Sequence, residues 1–374
     1  MSFLEKLLEG VEVEWKPLGE VCILSRGRVM SKEYLAEFAG EYPVYSSQTA
    51  NNGEIGKITT FDYDGEFITW TTDGANAGTV FHRKGKFSIT NVCGLIKIKD
   101  NSELIYGFLF YWLSIEAKKY VYSGMGNPKL MSNQITKIPI PIPPIEIQQK
   151  IVGILDTFTE LTAELTAELT AELTARKSQY TYYREKLLSF DENKVEFEVL
   201  GNLAENLDYM RKPVTTGLRE SGNIPYYGAS GIVDFVKDYI FDGEYLLISE
   251  DGANLIARNT PIAFSVCGKC WVNNHAHVLK FDTYVERRFV EYYLNSIDLT
   301  PYISGAAQPK LNQRNLNNIK IPNPSLIVKE RIVSILDKFD TLTTSITEGL
   351  PKEIELRKKQ YEFYRDLLLT YSKD

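Results

Sequence analysis

The segment Asp73-Gly74-Ala75-Asn76-Ala77-Gly78 is rich in glycine and invites a phosphate-binding interpretation. Glycine-rich loops cradle phosphate with backbone N–H groups, but this one lacks the Lys-Ser/Thr ending of a P-loop and the spacing of a dinucleotide fingerprint. Its first four residues return in the second half of the chain as Asp251-Gly252-Ala253-Asn254. A nucleotide site is therefore disfavoured, and a plain turn is the simplest interpretation.

A second pair of segments carries side chains that can read base edges. Asn127-Pro128-Lys129 precedes Asn133-Gln134, and Gln308-Pro309-Lys310 precedes Asn312-Gln313-Arg314. Asn, Gln and Arg make paired hydrogen bonds to bases, whereas Lys more often contacts phosphate. For any single residue, a structural turn followed by a solvated face explains the pattern equally well.

Cys267 and Cys270, followed by His275 and His277, have spacing that suits a zinc site. One such pair without a second is a weak signal, and the matching stretch of the first half carries no cysteine. We therefore expect buried thiols, loop histidines and no bound metal.

Signatures of catalysis are missing from the sequence. No Asn or Asp precedes Pro-Pro and an aromatic residue, as in amino-methyltransferases, and no helicase motif or nuclease cluster of carboxylates and lysine stands out. The chain has only 3 histidines. These observations predict a protein that is not itself an enzyme.

The composition limits the classes of protein to which this chain can belong. The 374 residues exceed one ordinary core, and 44% hydrophobic with 24% charged residues is typical of a soluble protein. No apolar run approaches the roughly 20 residues of a membrane span, and the start lacks a signal-peptide pattern, so we expect no membrane association and a cytoplasmic location. A net charge of −7 argues against a nucleic-acid binder that acts without a basic partner.

An internal repeat organises the whole chain, with matching segments about 180 residues apart. The ordered matches include Val13-Glu14-Trp15 with Val195-Glu196-Phe197, Ile151 to Asp156 with Ile332 to Asp337, and Arg176 to Tyr180 with Arg357 to Tyr361. In each copy, β-rich runs separated by turn signals are followed by a proline-rich exit and a long helix. The chain is therefore predicted to be a duplicated α+β unit.

The first long helix contains three copies of Leu-Thr-Ala-Glu from Leu161 to Glu172, closed by Leu173, which gives four leucines spaced four residues apart. Leucines four residues apart form a slowly winding apolar stripe, which predicts packing on the second long helix in an antiparallel pair. Gly349 and Pro351 are expected to kink or break that second helix. The residues predicted to pack are Leu155, Phe158, Leu161, Leu165, Leu169, Leu173, Leu336, Phe339, Leu342 and Ile346.

The duplicated unit, the proline-rich exits, the paired helices and the tandem Thr-Ala-Glu-Leu spacer of Thr162 to Leu173 resemble one family over essentially the whole chain. That family is the DNA-specificity subunit of Type I restriction-modification systems. The resemblance implies two target-recognition domains, related by pseudo-two-fold symmetry and separated by two long antiparallel helices. The expected boundaries are 1–144 for the first domain, 145–190 for the first spacer helix, 191–325 for the second domain and 326–374 for the second spacer helix.

The resemblance also implies a function and its residues. Each domain would read one half of a split site in double-stranded DNA across a fixed gap, and the glycine-rich segments would be DNA-facing loops. The expected DNA-binding residues are Asn76, His82, Arg83, Lys84, Lys86, Asn127, Lys129, Asn133, Gln134, Asn254, Arg258, Lys269, Gln308, Lys310, Asn312, Gln313 and Arg314.

The partners implied by the resemblance are two methyltransferase subunits and, through them, restriction subunits. No cofactor would be bound by this chain, because S-adenosylmethionine, ATP and Mg belong to those partners. Two alternatives stay open: a helical scaffold whose two domains bind protein or glycan without recognising DNA, and a duplicated nuclease. Binding that weakens steeply as salt rises would favour DNA over the scaffold.

Overall fold

The computed structural model of the chain describes residues 10–123, 126–305, 308–345 and 347–371. These residues form two units. Unit 1 holds the described residues up to Ala167 together with those from Glu355 onward, and unit 2 is Glu168–Ile354. Each unit combines a larger mixed sheet, a small two-stranded sheet and helices, which confirms the predicted duplicated α+β fold.

The larger sheet of unit 1 has the strand order β2-β7-β5-β6-β3-β4, in which β3 and β6 run parallel and the other neighbours run antiparallel. Strand β1 pairs with β8 in the small sheet. The strands are β1 (Glu14–Pro17), β2 (Cys22–Arg26), β3 (Ala39–Tyr45), β4 (Glu54–Ile58), β5 (Tyr63–Thr71), β6 (Val80–Ile89), β7 (Cys93–Ile98) and β8 (Pro139–Ile142).

The main core of unit 1 lies between this sheet and the helices. Phe67 to Thr71 of β5 are all buried, because β5 lies inside the sheet and is covered on both faces. Trp70 of β5 and Phe108 of α3 are fully buried in the core. The helices are α1 (Leu18–Val21), α2 (Lys32–Glu37), α3 (Tyr106–Glu116) and α4 (Ser132–Ile135), with 3₁₀ turns at Ala50–Gly53 and Ala117–Tyr120.

The longest element is α5 (Ile145–Leu188), a helix of 44 residues that begins directly after Pro143 and Pro144. At 1.5 Å per residue it is about 65 Å long. Its first part supplies Ile151 and Leu155 to the core of unit 1, and its end supplies Leu188 to the core of unit 2. The helix therefore belongs to both units.

Unit 2 repeats the plan of unit 1. Its larger sheet has the order β10-β15-β13-β14-β11-β12, with β11 and β14 parallel, and β9 pairs with β16. The strands are β9 (Phe197–Val199), β10 (Glu205–Asn206), β11 (Ser221–Gly228), β12 (Gly231–Val236), β13 (Phe241–Ser249), β14 (Ala263–Val272), β15 (Ala276–Lys280) and β16 (Lys320–Pro322). The helices are α6 (Leu200–Leu203), α7 (Asn254–Ala257), α8 (Tyr284–Ser296) and α9 (Gln313–Asn317), with 3₁₀ turns at Asp208–Met210, Thr216–Leu218 and Thr300–Tyr302.

The second long helical segment is two helices, α10 (Leu326–Thr344) and α11 (Gly349–Leu368). The chain enters α11 at Gly349 with a φ of 76°, and a Cβ there would lie 2.4 Å from the backbone oxygen of Thr341. Pro351 falls in the first turn of α11, where its missing N–H has no partner to lose. The glycine therefore turns the chain, and the proline starts the new helix.

Within unit 1, α5 and α11 run antiparallel. The ring of Phe158 lies 5.7 Å from that of Tyr364, and the hydroxyls of Thr159 and Tyr361 are 3.0 Å apart. One turn further along α5, Leu161 and Leu165 line a cavity of about 200 Å³ beside Arg357. Leu155 is fully buried, whereas Leu161 keeps 55% of its surface exposed.

Within unit 2, Tyr180 and Tyr183 of α5 pack on Phe339 of α10. Leu336 is fully buried in the core. The remaining positions predicted to pack are half-buried: Leu169, Leu173 and Leu342. Ile346 lies outside the described residues. None of the described helices has both the length and the apolar character needed to span a membrane.

Candidate nucleic-acid interface

In unit 1 the glycine-rich segment and the Asn-Pro-Lys segment lie side by side. The N–H of Gly74 donates to the oxygen of Pro128 at 3.0 Å, and the N–H of Leu130 donates to the oxygen of Thr72 at 2.8 Å. Asp73 and Lys129 thus pair as in an antiparallel sheet. We call residues 72–78 together with 127–130 junction 1.

The same arrangement occurs in unit 2. The N–H of Gly252 donates to the oxygen of Pro309 at 3.1 Å, and the N–H of Leu311 donates to the oxygen of Glu250 at 2.7 Å. Asp251 and Lys310 form the equivalent backbone pair. We call residues 250–254 together with 308–311 junction 2.

The junctions and the helices that follow them present polar side chains to solvent. In each junction two backbone hydrogen bonds hold the paired segments together, so the exposed side chains are not needed for that pairing. The exposed members of the predicted set near the junctions are Asn76, Asn127, Lys129 and Asn133 in unit 1, and Gln308, Lys310, Gln313 and Arg314 in unit 2. Lys310 is half exposed and its Nζ lies 3.0 Å from Oε1 of Glu250.

Three predicted residues make local backbone contacts instead. The Oε1 of Gln134 accepts from the N–H of Met131 at 2.8 Å, and Oδ1 of Asn312 caps α9 by accepting from the N–H of Asn315 at 2.9 Å. The side chain of Asn254 bonds both the N–H and the oxygen of Thr260. These side chains shape the turns next to the junctions.

The basic cluster on β6 is divided between two faces of the strand, as the two-residue period requires. Arg83 points inward, is only 3% exposed, and donates to Oγ1 of Thr69 and to the oxygen of Asn52 at 2.7 Å. Burial lowers its pKa. Its guanidinium also lies 3.6 Å from the ring centre of Tyr45. Arg83 therefore stabilises the interior of unit 1, and almost none of its surface is open to a DNA contact.

The other members of the β6 cluster lie on the opposite face of the strand, where the ring of His82 stacks on that of Phe110 of α3. Nε2 of His82 is 2.6 Å from Oε1 of Glu66, and Nζ of Lys84 lies 3.3 Å from the same oxygen. Lys86 is exposed, with its ammonium 4.7 Å from the ring centre of Phe61. The two lysines remain accessible to a phosphate.

In unit 2 the corresponding basic residues differ in exposure. Arg258 has a left-handed backbone with a φ of 53° and donates to the oxygens of Leu294 and Ile297, so it caps the end of α8. Its burial lowers its pKa. Lys269 is exposed and lies over the ring of Tyr239.

In each unit a buried side chain contacts a backbone oxygen of the junction. In unit 1, Nε1 of Trp70 donates to the oxygen of Leu130 at 3.0 Å. In unit 2, Nε2 of His277 lies 2.7 Å from the oxygen of Leu311. Trp70 and His277 are both fully buried. Neither residue was identified from the sequence as part of the junctions, although the tryptophan stands three residues before Asp73.

The support of junction 2 includes a network of buried charges. Nδ1 of His277 lies 2.6 Å from Oδ2 of Asp208, and Arg211 bonds both Asp208 and Glu250. Burial acts to raise the pKa of Asp208, but the hydrogen bond and charge of His277 and the charge of Arg211 outweigh it and hold that pKa below its ordinary value. For Glu250, burial is likewise outweighed by Arg211, His277 and Lys310, and its pKa is lowered.

This network bears on metal binding. Among the described residues, the one group of at least three His, Cys, Asp or Glu side chains with converging ligand atoms is Asp208, Glu250 and His277. Arg211 and Lys310 already neutralise its carboxylates. The charges are therefore satisfied within the protein.

The zinc-like spacing does not produce a converging set of ligands. Cys267 is exposed and Cys270 buried, because residues three apart on β14 point to opposite faces. Burial raises the pKa of Cys270 to about 12, so its thiol stays protonated. Nδ1 of His275 lies 2.9 Å from Oδ2 of Asp251 instead.

Comparison with known proteins agrees with this duplicated architecture. The model of the family described as Type I restriction modification DNA specificity domain matches residues 10–175 and again residues 193–356. The specificity subunit of the type I restriction enzymes EcoR124I/EcoR124II of Escherichia coli is 34% identical over 410 residues, covering 100% of this chain and 98% of that protein. A Haemophilus influenzae protein described as a type I restriction enzyme specificity subunit is 37% identical over 397 residues, covering 99% of each chain.

Solved structures share the fold. The S subunit of a type I restriction-modification system from M. genitalium gives a TM-score of 0.53 at 18% identity, over 100% of both chains. A chain from a study of complex assembly and conformational transition in the type I R-M system gives 0.64 at 15% identity, over 96% of this chain and 97% of that one. With the two family matches and relatives similar over their whole length, the chain belongs to the family of type I restriction-modification DNA specificity subunits.

Proposed function

We propose that this specificity subunit reads a bipartite DNA site, with one half-site read at each junction. The observation that carries the proposal is the pairing of the same two distant segments in both units, Asp73 with Lys129 and Asp251 with Lys310. Such a pairing places amide and basic side chains together on two segments that are joined by backbone hydrogen bonds. Side chains of this kind suit base edges and phosphates.

The two half-sites are expected to differ, because the exposed side chains at equivalent positions differ. Asn127 of unit 1 corresponds to Gln308 of unit 2, and Asn133 corresponds to Arg314. Asn and Gln pair best with adenine, whereas Arg pairs best with guanine. A site recognised by unlike junctions is asymmetric.

Phosphate contacts are assigned to the exposed lysines. Lys129 and Lys310 lie in the junctions, and Lys84, Lys86 and Lys269 lie on the neighbouring strands. The chain as a whole is acidic, because 49 Asp and Glu residues outnumber 42 Lys and Arg residues and give a net charge of −7. Part of the phosphate neutralisation is therefore assigned to partner subunits, which makes binding by the assembled complex tighter than binding by this chain alone.

The gap between the half-sites is assigned to α5, which extends from one unit into the other. The catalytic steps are assigned to partners: two methyltransferase subunits that use S-adenosylmethionine, and restriction subunits that use ATP and Mg. This chain would direct them to their site and would bind no cofactor itself.

Mapping of methylated bases tests the proposal. Plasmid DNA treated with the reconstituted methyltransferase should carry methylation within one recurring sequence that has two defined parts and an unspecified gap of constant length. Footprinting of the same complex should protect both parts. A single continuous recognition sequence without a gap would count against the proposal.

Salt dependence separates DNA recognition from a scaffold function. The affinity of the complex for a duplex that carries the mapped site should fall steeply with rising salt, since bound counterions are released from the phosphates. Substitution of Lys129 or Lys310 by Gln should make that dependence less steep by about one phosphate contact. An affinity for DNA that does not respond to salt would point to the scaffold.

A further inference from the structure

Arg26 lies beside junction 1, although the sequence does not single it out. It ends β2 and pairs with Gly94 of β7, which faces Trp70 of β5 on the other side. Its guanidinium carbon lies 5.7 Å from the centre of the Trp70 ring, a distance at which a cation is attracted to an indole. Trp70 in turn donates to the oxygen of Leu130 in junction 1. The same indole therefore contacts both the junction and the arginine.

The other contacts of Arg26 orient its guanidinium. Nε donates to Oγ of Ser132 at 3.4 Å, Nη1 donates to the oxygen of Asn91 at 3.3 Å, and Nη2 lies 3.6 Å from Sδ of Met131. Met131 and Ser132 directly follow junction 1, and the contacts of both Nη atoms are open to solvent. All three acceptors are uncharged, and the two oxygens lie beyond the usual hydrogen-bond distances. These contacts position the guanidinium and leave it able to bond a stronger acceptor.

The charge of Arg26 has no carboxylate partner. Within the part of the chain that the structure describes, no carboxylate oxygen forms an ion pair with Arg26, whereas Arg28, two positions on, is paired with Asp62 at 3.0 Å. Asp73 of junction 1 acts on the charge of Arg26 only from beyond ion-pair distance, and burial lowers the pKa of the guanidinium. A guanidinium that is partly desolvated and has no anionic partner is stabilised by an acceptor from outside the protein.

Unit 2 has an aspartate at the corresponding position. Leu18-Gly19 recurs as Leu200-Gly201, and the eighth residue after each of these leucines is Arg26 in unit 1 and Asp208 in unit 2. The side chain of Asp208 is only 6% exposed, and its Oδ2 lies 3.3 Å from Nη2 of Arg211. The charge at this point of unit 2 is therefore paired inside the protein. The two units differ here in the sign of the charge and in its access to a ligand.

We propose that Arg26 is a specificity-determining residue that reads a guanine in the half-site of unit 1, and that unit 2 makes no equivalent contact. The proposal rests on the function proposed above and adds a residue and a base to it. An arginine presents two parallel N–H donors that match O6 and N7 of guanine. A guanidinium oriented by an indole and by neighbouring acceptors suits such a directional contact, whereas the exposed Lys129 nearby suits a phosphate.

Coupling between Arg26 and one base pair tests the proposal. The reconstituted methyltransferase is given duplexes in which each G·C pair of the mapped half-sites is replaced by A·T, one at a time, and the methylation rates are compared. In the unsubstituted complex, one such replacement in the half-site of unit 1 should lower the rate by about tenfold or more. In Arg26→Gln the same replacement should have little effect or raise the rate, because glutamine pairs best with adenine. The other half-site should keep all its preferences.

Two further variants separate base reading from other roles. Arg28→Gln removes an arginine that is already held by Asp62 and by the hydroxyl of Tyr34, and it should keep every guanine preference. Arg26→Lys keeps the charge but loses the paired donors, so it should lose the same guanine preference as Arg26→Gln. If Arg26→Lys kept that preference, and Arg26→Gln slowed all duplexes equally with a weaker salt dependence, Arg26 would be a phosphate contact and the proposal would be overturned.

A photo-crosslinking group identifies the half-site of unit 1. It is attached to the cysteine introduced by Asn91→Cys, at an exposed position beside Arg26, in a chain that also carries Cys267→Ser. The other three cysteines are buried and do not compete for the reagent.

The remaining outcomes distinguish this proposal from the function on which it rests. Circular dichroism reports whether each variant is folded, and Arg26→Lys, which keeps a cation beside Trp70, provides the test if Arg26→Gln does not fold. A bipartite site in which no guanine preference depends on Arg26 would overturn the inference and leave the proposed function intact. A continuous site would contradict the proposed function, whereas a guanine coupled to Arg26 within it would still support the role of Arg26.

Discussion

Deletion of one tetrapeptide from α5, Thr166 to Leu169, tests the link between helix length and DNA spacing. Four residues at 1.5 Å each shorten the helix by about 6 Å. Duplex DNA advances 3.4 Å per base pair, so the unspecified gap should shorten by about two base pairs. The bases of both half-sites should stay the same, because the deletion is remote in sequence from both junctions.

The helix should survive this deletion. The removed segment is one copy of a tandem repeat, so the leucine at 165 is followed by Thr170 and the next leucine, Leu173, again stands four positions on. Four residues turn a helix by one full turn plus about 40°, so the change in rotation between the flanking parts is small. The other helical segment is already interrupted between Thr344 and Gly349, which lets it adjust to a shorter neighbour.

Methylome mapping of the shortened variant measures the outcome directly. An insertion of one further Thr-Ala-Glu-Leu copy should lengthen the gap by a similar amount, and Glu168→Gln, which keeps the length, should leave the gap unchanged. A shortened variant that methylates altered half-site bases, or one that keeps the original gap at full activity, would refute the role of α5 as a ruler.

Four further predictions concern stability, measured as the free energy of unfolding from urea denaturation followed by circular dichroism. Arg288→Met should lower the free energy of unfolding by about 3 kcal/mol, because the guanidinium is only 12% exposed and bonds two aspartates of α10 that would lose their partner. As a control, Lys338→Met at an exposed position of the same helix should change that free energy little. Equal losses in the two variants would refute the reasoning. Gly349→Ala should destabilise by more than about 1 kcal/mol, because its φ is 76° and the added Cβ would meet a backbone oxygen. Gly153→Ala, with open space around its Cβ inside a helix, should instead stabilise by about 0.5–1 kcal/mol. Finally, the lowered pKa of Asp208 means that the unfolded chain binds more protons in acid. The carboxylate of Asp208 stabilises the folded chain fully above the ordinary aspartate pKa, and this stabilisation is lost as the pH falls from that pKa toward the lowered one. Over that pH interval the stability of the Asp208→Asn variant should therefore fall less than that of the parent chain.

Much of the fold could be predicted from the sequence, because repeated segments constrain each other. Leu155 and Leu336 occupy the same place in the two copies, and both are fully buried. The tandem Thr-Ala-Glu-Leu run contains no residue that breaks a helix, and it lies in an unbroken helix of 44 residues. Gly349 and Pro351 likewise marked the place where the second helical segment divides.

The candidate site depended on contacts between residues far apart in sequence. In the sequence, one segment of junction 1 precedes α3 and the other follows it. A sequence pattern cannot show that Asp73 and Lys129 pair through their backbones. Nor could it distinguish Arg83, buried over Tyr45, from its exposed neighbour Lys84, because burial of one strand face depends on what covers it.

His277 shows the same limit most clearly. Its spacing from two cysteines suits a zinc site, and we expected a loop histidine without metal, whereas the ring is buried and its two nitrogens contact Asp208 and Leu311. The sequence by itself determined the duplication, the long helix and the helix break, since these follow from local propensity and repetition. Only the tertiary structure decided which polar side chains face solvent and which support the junctions, because a buried donor takes its role from acceptors brought to it by the fold.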